Sequence, residues 1–238
     1  MGEFGTSQFW IDLARIMGID ILLSGDNAVV IALASRSLPE QQRKWAIFGG
    51  SGAAIGLRVL FATIIVWLLA IPYLKLVGGL LLLYIGVKLI LPEHEGHGEG
   101  RAATNLWGAI RTIVIADAVM SLDNVVAIAA AARGSVMLLV LGLLMSVPLI
   151  VFGSQMVLGV LHRFPFLITL GGGLLGWIAG EIIVTDPFVQ ERLPYDEHAN
   201  SMVAKLVGAV GVMLTGTALS RWFTRDAADI DLARKGTS

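Results

Sequence analysis

The sequence predicts an all-α polytopic membrane protein with about seven transmembrane helices, arranged as two inverted-topology three-helix repeats plus a seventh helix. Three observations carry that expectation. Of the 238 residues, 56% are hydrophobic and only 15% charged, and the mean hydropathy is +0.79. Soluble domains average about 25% charged residues, which they need to cover a water-facing surface. The apolar residues fall into seven runs of bilayer-spanning length. One polar pattern occurs twice, inside two of those runs. The same composition excludes whole classes of function. A water-soluble globular enzyme does not fit. A formal net charge of −1 leaves no basic excess for a nucleic-acid partner. The absence of Cys removes disulfides, thiolate catalysis, zinc knuckles and iron–sulfur clusters.

A membrane helix needs about 17–25 mainly apolar residues. The runs that meet this are 9–34, 45–70, 74–91, 106–132, 138–160, 166–184 and 203–222. Pro39, Pro72, Pro92, Gly134, Pro165 and the polar stretch 186–200 separate them, as chain breakers should. The chain thus reads as a single membrane domain, 1–238: repeat one at about 9–91, a His/Glu loop at about 92–105, repeat two at about 106–184, the seventh helix at about 203–222 and a polar tail at 223–238. No basic leader with a short apolar core precedes the first span, so that span is expected to be retained. Eleven Lys and Arg lie on the side holding the first, third and fifth loops and the tail, against five on the other, with Arg58 mid-span. The positive-inside rule therefore expects the N-terminus outside and the C-terminus in the cytoplasm.

Residues 20–36 read DILLSGDNAVVIALASR and residues 117–133 read DAVMSLDNVVAIAAAAR. An offset of 97 aligns them without gaps and gives 9 identities in 17 positions. Asp20, Ser24, Asp26 and Asn27 meet Asp117, Ser121, Asp123 and Asn124, all polar residues that hydrocarbon disfavours. The likeness resumes at an offset of 94, where Gly78, Gly79 and Gly86 meet Gly172, Gly173 and Gly180. Each half holds three spans, an odd number, so the second must enter the membrane from the opposite side. Inverted repeats of this kind are common in secondary transporters, with the substrate site near the midplane between repeats.

A carboxylate at the bilayer centre costs at least about 2.5–3.5 kcal/mol, so four at related depths point to a compensating ligand or to protonation. At 100° per residue, Asp20, Ser24 and Asn27 fall within about 60° of one another, while Asp26 lies about 120° away. Asp26 converges with them only if the helix breaks, and Ser24-Gly25 is a natural place. The second copy reads Ser121-Leu122 without the glycine, so a break is less expected there. Carboxylate, amide and hydroxyl oxygens are hard ligands suited to Mg²⁺, Ca²⁺ or Mn²⁺. The metal site is accordingly read as Asp20, Asp26, Asn27, Asp117, Asp123 and Asn124, with Ser24 and Ser121 as further candidates. Arg58 is a candidate for gating or coupling, or a structural partner that lowers the buried charge; Glu181 is a candidate coupling carboxylate, or an interfacial solvated one. Gly172, Gly176 and Gly180 recur every four residues and read as a close-packing face. The 93–99 segment EHEGHGE carries metal-friendly side chains in a loop of solvated composition.

SGDNAVVIALA and SLDNVVAIAAAA, each with an acid six residues before the Asp-Asn aspartate, resemble the TerC family of integral membrane proteins, placed with the lysine-exporter superfamily. The resemblance covers nearly the whole chain. It implies divalent metal export, best supported for manganese, with Asp20, Asp26, Asn27, Asp117, Asp123 and Asn124 as the cation site. Many relatives have Glu as the first acid of repeat one and Asp-Ser in repeat two; here Asp-Asn stands in both.

The expectation is a secondary transporter in a bacterial inner membrane, exporting Mn²⁺ with proton antiport as a natural drive. It needs no cofactor and is not an enzyme. Its partners are the divalent cation and the lipid bilayer, with a homo-oligomer left open. Calcium or amino-acid export, an intramembrane aspartyl enzyme and a metal-delivery partner of secreted metalloproteins are the competing readings. The Gly-x-Gly-Asp element expected of an aspartyl protease of that kind is absent.

Overall fold

The computed structural model describes residues 7–23, 25–69, 71–91, 99–132, 135–193 and 197–235, and of 65–67, 69, 99–105, 123, 197 and 224–235 the backbone alone. Among the described residues the regular structure is entirely helical. The elements are α1 (Ser7–Leu23), α2 (Gly25–Ser35), α3 (Glu40–Leu69), α4 (Leu74–Ile90), α5 (Glu99–Ala131), α6 (Val136–Arg163), α7 (Phe166–Val184), α8 (Pro187–Gln190) and α9 (Glu197–Lys235).

Four stretches are long and apolar enough to cross a membrane: Glu40–Ile64, Val136–Arg163, Phe166–Val184 and His198–Phe223. Two bent pairs raise the number to six: Ser7–Leu23 with Gly25–Ser35, and Leu106–Leu122 with Asn124–Ala131. At 17 residues, α4 is shorter than these, yet it still reaches about 25 Å at 1.5 Å per residue. Trp45, Trp107 and Trp222 stand 66%, 70% and 59% exposed near span ends, where amphipathic rings favour the membrane–water boundary. The molecule is an all-α integral membrane protein.

Several boundaries differ from the sequence reading. The first span is two helices whose axes meet at 53°. The fourth also bends, by 69° between Leu122 and Asn124, although it lacks the glycine that suggested a break in the first. Helix α5 starts at Glu99, inside the expected loop, and α9 runs on to Lys235 through the expected polar tail. Backbone hydrogen bonding propagates readily once a helix is nucleated, so polar composition alone does not end one. The loop residues 92–98 lie outside the described residues.

Packing explains the two bends. One core joins Val30–Ala34 of α2 and Ile113, Ala116, Val119 and Met120 of α5 to α4, α7 and the later part of α6. A second core joins Phe9, Leu13 and Ile16 of α1 and Ile128 and Ala132 to Leu138, Leu139 and Leu143 at the start of α6. Each bent span thus leaves one core and enters the other, and the bend lies at the crossing. The expected glycine face divides between two neighbours: a Cβ on Gly172 would lie 2.5 Å from Ile90 of α4, while the other two glycines face α9. A Cβ on Gly176 would lie 2.3 Å from the Gly208 carbonyl oxygen, and one on Gly180 would lie 2.2 Å from that of Ala204. Only glycine lets α7 and α9 approach so closely.

Two side chains tie down chain ends. Fully buried Asp186 accepts from Leu76 N and Phe188 N, both at 3.0 Å, and so caps the first turns of α4 and α8 together. Arg36 donates to the Leu89 and Leu91 carbonyls at 2.6 and 3.0 Å, placing a cation at the negative end of α4.

Candidate functional site

The two similar segments meet where the bent spans cross between the cores. Asp20 near the end of α1, Asn27 in the first turns of α2, and Asp117 on α5 all face one point, and α3 delivers Arg58 to it. All four are buried, with 1%, 3%, 6% and 4% of their surface exposed. Arg58 lies between the carboxylates. Its Nε and Nη2 donate to Asp117 Oδ2 and Oδ1 at 3.2 and 2.5 Å, while Nη1 donates to Asp20 Oδ1. The two-point grip on Asp117 is the fork geometry that a planar guanidinium favours.

Other contacts to these carboxylates come from an amide and two hydroxyls. Asn27 Nδ2 donates to Asp117 Oδ1 at 2.9 Å, and Ser121 Oγ donates to Asp117 Oδ2 at 3.2 Å. Ser146 Oγ on α6 donates to Asp20 Oδ2. Every oxygen of the pair therefore accepts at least one hydrogen bond. Two polar atoms beside the pair do not share this satisfaction. Asn27 Oδ1 and Ser51 Oγ are buried without a hydrogen-bond partner, which ordinarily costs about 1–3 kcal/mol per group. Both residues line a cavity of about 20 Å³, together with Asp20, Arg58 and Asp117. That volume holds about one water-sized particle.

Asp26 does not join this group. It lines a separate, wider cavity of about 470 Å³ with Asn124, Glu181 and Thr185, because it lies on another face of the helix even after the break. Its Oδ1 accepts from Asn27 N at 2.9 Å. Asn124 Nδ2 donates to the Leu23 carbonyl at 3.0 Å. Leu23 is the last residue of α1, where carbonyls lack a partner within the helix, so repeat two supplies what the break in repeat one leaves unmade. Glu181 pairs with Lys205 at 2.6 Å. The Asp123 side chain and Ser24 lie outside the described residues. Among the described residues no three His, Cys, Asp or Glu side chains gather as a metal cluster.

The expected residues thus divide. Asp20, Asn27, Asp117 and Ser121 form one buried group with Arg58, and Asp26, Asn124 and Glu181 line a second chamber. Sequence reasoning missed Ser51 and Ser146. A lone Ser in an apolar helix usually bonds back to its own helix and leaves no pattern to find.

The whole arrangement can be set beside known proteins. The model of the integral membrane protein TerC family matches residues 5–228. The chain belongs to the TerC family. Membrane protein YjbE of Bacillus subtilis (strain 168) is 48% identical over 179 residues, which cover 75% of this chain and 82% of that one. Membrane protein YkoY of the same organism is 25% identical over 235 residues, covering 90% of this chain and 71% of that one. Inner membrane protein YoaE of Escherichia coli (strain K12) is 30% identical over 140 residues, half of this TerC-family chain and 27% of that protein. No solved structure matches.

Proposed function

We propose that this TerC-family protein is a secondary transporter that exports a divalent cation, manganese(II) foremost, from the cytoplasm across a bacterial inner membrane. One observation carries the reading: Asp20, Asn27 and Asp117, from two similar segments far apart in sequence, meet at a buried point shared by the two bent spans. Carboxylate and amide oxygens are what a hard divalent cation requires. Asp26 and Asn124 are assigned to the same pathway as a second station, and Asp123 is kept as a candidate ligand from the sequence. The halves are read as inverted repeats, and the swapped packing of α1 on α6 and α3 on α5 suits that reading. Carboxylates that release metal can take up protons, so proton antiport is the proposed drive.

With the N-terminus outside, α7 ends at the outer face, and the chamber lined by Asp26, Glu181 and Thr185 is an outward vestibule. An aspartyl enzyme fits less well. Two catalytic carboxylates would share a proton, whereas Asp20 and Asp117 here share a guanidinium. The test is uptake of radiolabelled Mn²⁺ into inside-out vesicles holding wild type or the Asp20→Asn, Asp117→Asn double variant. Uptake in wild type that falls to the level of empty vesicles in a variant shown to be folded and inserted supports the reading. No uptake by folded, correctly oriented wild type overturns it for manganese, and Ca²⁺ is tested next.

A further inference from the structure

Arg58 and a divalent cation make the same demand on the site. Both need the oxygens of Asp20 and Asp117, and in the arrangement described the guanidinium takes one oxygen of Asp20 and both of Asp117. The other Asp20 oxygen is held by Ser146. A metal seated among these oxygens would meet the guanidinium's positive charge at contact distance in a cavity with room for about one small particle, so the two compete for the place. The neighbouring oxygens show the complementary pattern. Asn27 turns its amide nitrogen to Asp117 and leaves its oxygen bare, and Ser51 Oγ beside it is equally unpartnered. These two atoms border the small cavity against Arg58 and both aspartates. An amide oxygen offers only lone pairs, and a guanidinium offers only donors. Yet Arg58 bonds the aspartates and not Asn27 Oδ1, so the oxygen set around this point is larger than the guanidinium uses.

We infer that Arg58 is a resident cation of the transport site, alternating with the transported metal on Asp20 and Asp117, and that Asn27 Oδ1 and Ser51 Oγ complete the metal's shell when the guanidinium moves aside. The inference rests on the metal-transport reading above and adds to it a competitor built into the chain and a ligand, Ser51. Its mechanical consequence concerns the return of the unloaded carrier. Two carboxylates left bare in a low-dielectric interior resist reorientation. A guanidinium keeps its charge at any physiological pH and neutralises this pair as the metal leaves, so the protons of the proposed antiport are taken up by the other carboxylates of the pathway. Arg58 is thus a positioning residue for the empty carrier and an antagonist of the loaded one.

These roles separate experimentally. Purified full-length wild type, Arg58→Gln, Arg58→Lys and Ser51→Ala are compared in nanodiscs for Mn²⁺ affinity, by loss of the free Mn²⁺ paramagnetic resonance signal. In proteoliposomes the same four are compared for net Mn²⁺ transport and for Mn²⁺–Mn²⁺ exchange, which omits the return of the empty carrier. The expected result for Arg58→Gln is affinity raised about tenfold or more, exchange retained and net transport reduced about tenfold. Arg58→Lys keeps a charge without the fork, so it binds Mn²⁺ more tightly than wild type by a smaller factor and retains net transport. Should Arg58→Gln not fold to a monodisperse protein, the Lys variant decides alone. Ser51→Ala lowers affinity about threefold or more and leaves the ratio of net transport to exchange unchanged. Folded Arg58 variants that bind no more tightly than wild type, or that lose exchange and net transport together, overturn the competition; unchanged affinity in Ser51→Ala overturns its place in the shell. Wild type that neither binds nor moves Mn²⁺ overturns the transport reading itself, a separate result.

Discussion

The aspartates of the doubled pattern fall in unlike places: Asp20 and Asp117, which the repeat aligns, share one buried group, and Asp26 lies apart from it. Asp117 accepts from Arg58, Asn27 and Ser121 and is nearly inaccessible, whereas Asp26 accepts from the backbone N–H groups of its own turn at the edge of an open chamber. Asp117→Asn leaves Arg58 paired with Asp20 but puts an amide nitrogen where the guanidinium fork needs an acceptor, so a buried donor goes unmatched at about 1–3 kcal/mol. A change at a site with few committed contacts stays within about 0.5 kcal/mol. Asp117→Asn is therefore expected to lower the thermal unfolding midpoint in detergent clearly, and Asp26→Asn hardly at all, although both reduce transport on the proposed reading. Equal midpoints for the two variants would show that the Arg58 bridge does not hold the bundle together. The contrast also marks what could be read beforehand. Asp20, Asn27 and Asp117 announce themselves, because acids and amides in an apolar run are costly and need a reason. The direction of Asp26 depends on the turn of a helix break, and the parts of Ser51 and Ser146 depend on neighbours from other spans; neither is written in local sequence.

The two bends belong to the scale of elements. Ser24-Gly25 marked the first in advance, since glycine weakens a helix interior by about 0.5–1 kcal/mol. Nothing comparable marks the second, where Leu122 and Asn124 flank the turn. What the two share is position, because each lies where its span passes from one hydrophobic core to the other. The break is thus a product of tertiary packing that glycine permits but does not cause. A Cβ at Gly25 would meet nothing within 4 Å, so Gly25→Ala is expected to change stability by no more than about 1 kcal/mol. Asn124→Ala, which takes the donor from the Leu23 carbonyl at the end of α1, is expected to cost about 1–2 kcal/mol. Thermal unfolding of the two variants side by side checks this. A larger loss in Gly25→Ala than in Asn124→Ala would return the cause of the break to the glycine.

At the scale of the whole molecule, the repeat was legible because polar identities inside apolar runs resist coincidence. The interleaving of the halves was not, because helices that are apolar all round give no face to read. In the structure α1 of one half packs on α6 of the other, and α3 on α5, so neither half closes a core by itself. The buried Asp20–Arg58–Asp117 group and the wider chamber beyond it are therefore made jointly, and motion of one half against the other must remodel both. Access is then the informative measurement. The chain contains no Cys, so a single introduced thiol reports without background. Thr185→Cys places one at the rim of the chamber shared by Asp26, Asn124 and Glu181. With the N-terminus outside, a membrane-impermeant maleimide is expected to label that thiol from the outer face of intact cells, and saturating Mn²⁺ is expected to slow the reaction as the halves shift. Labelling from the cytoplasmic face alone would reverse the proposed orientation while leaving the chamber in place. Labelling from the outer face at a rate indifferent to Mn²⁺ would keep the orientation and separate this chamber from the path of the metal.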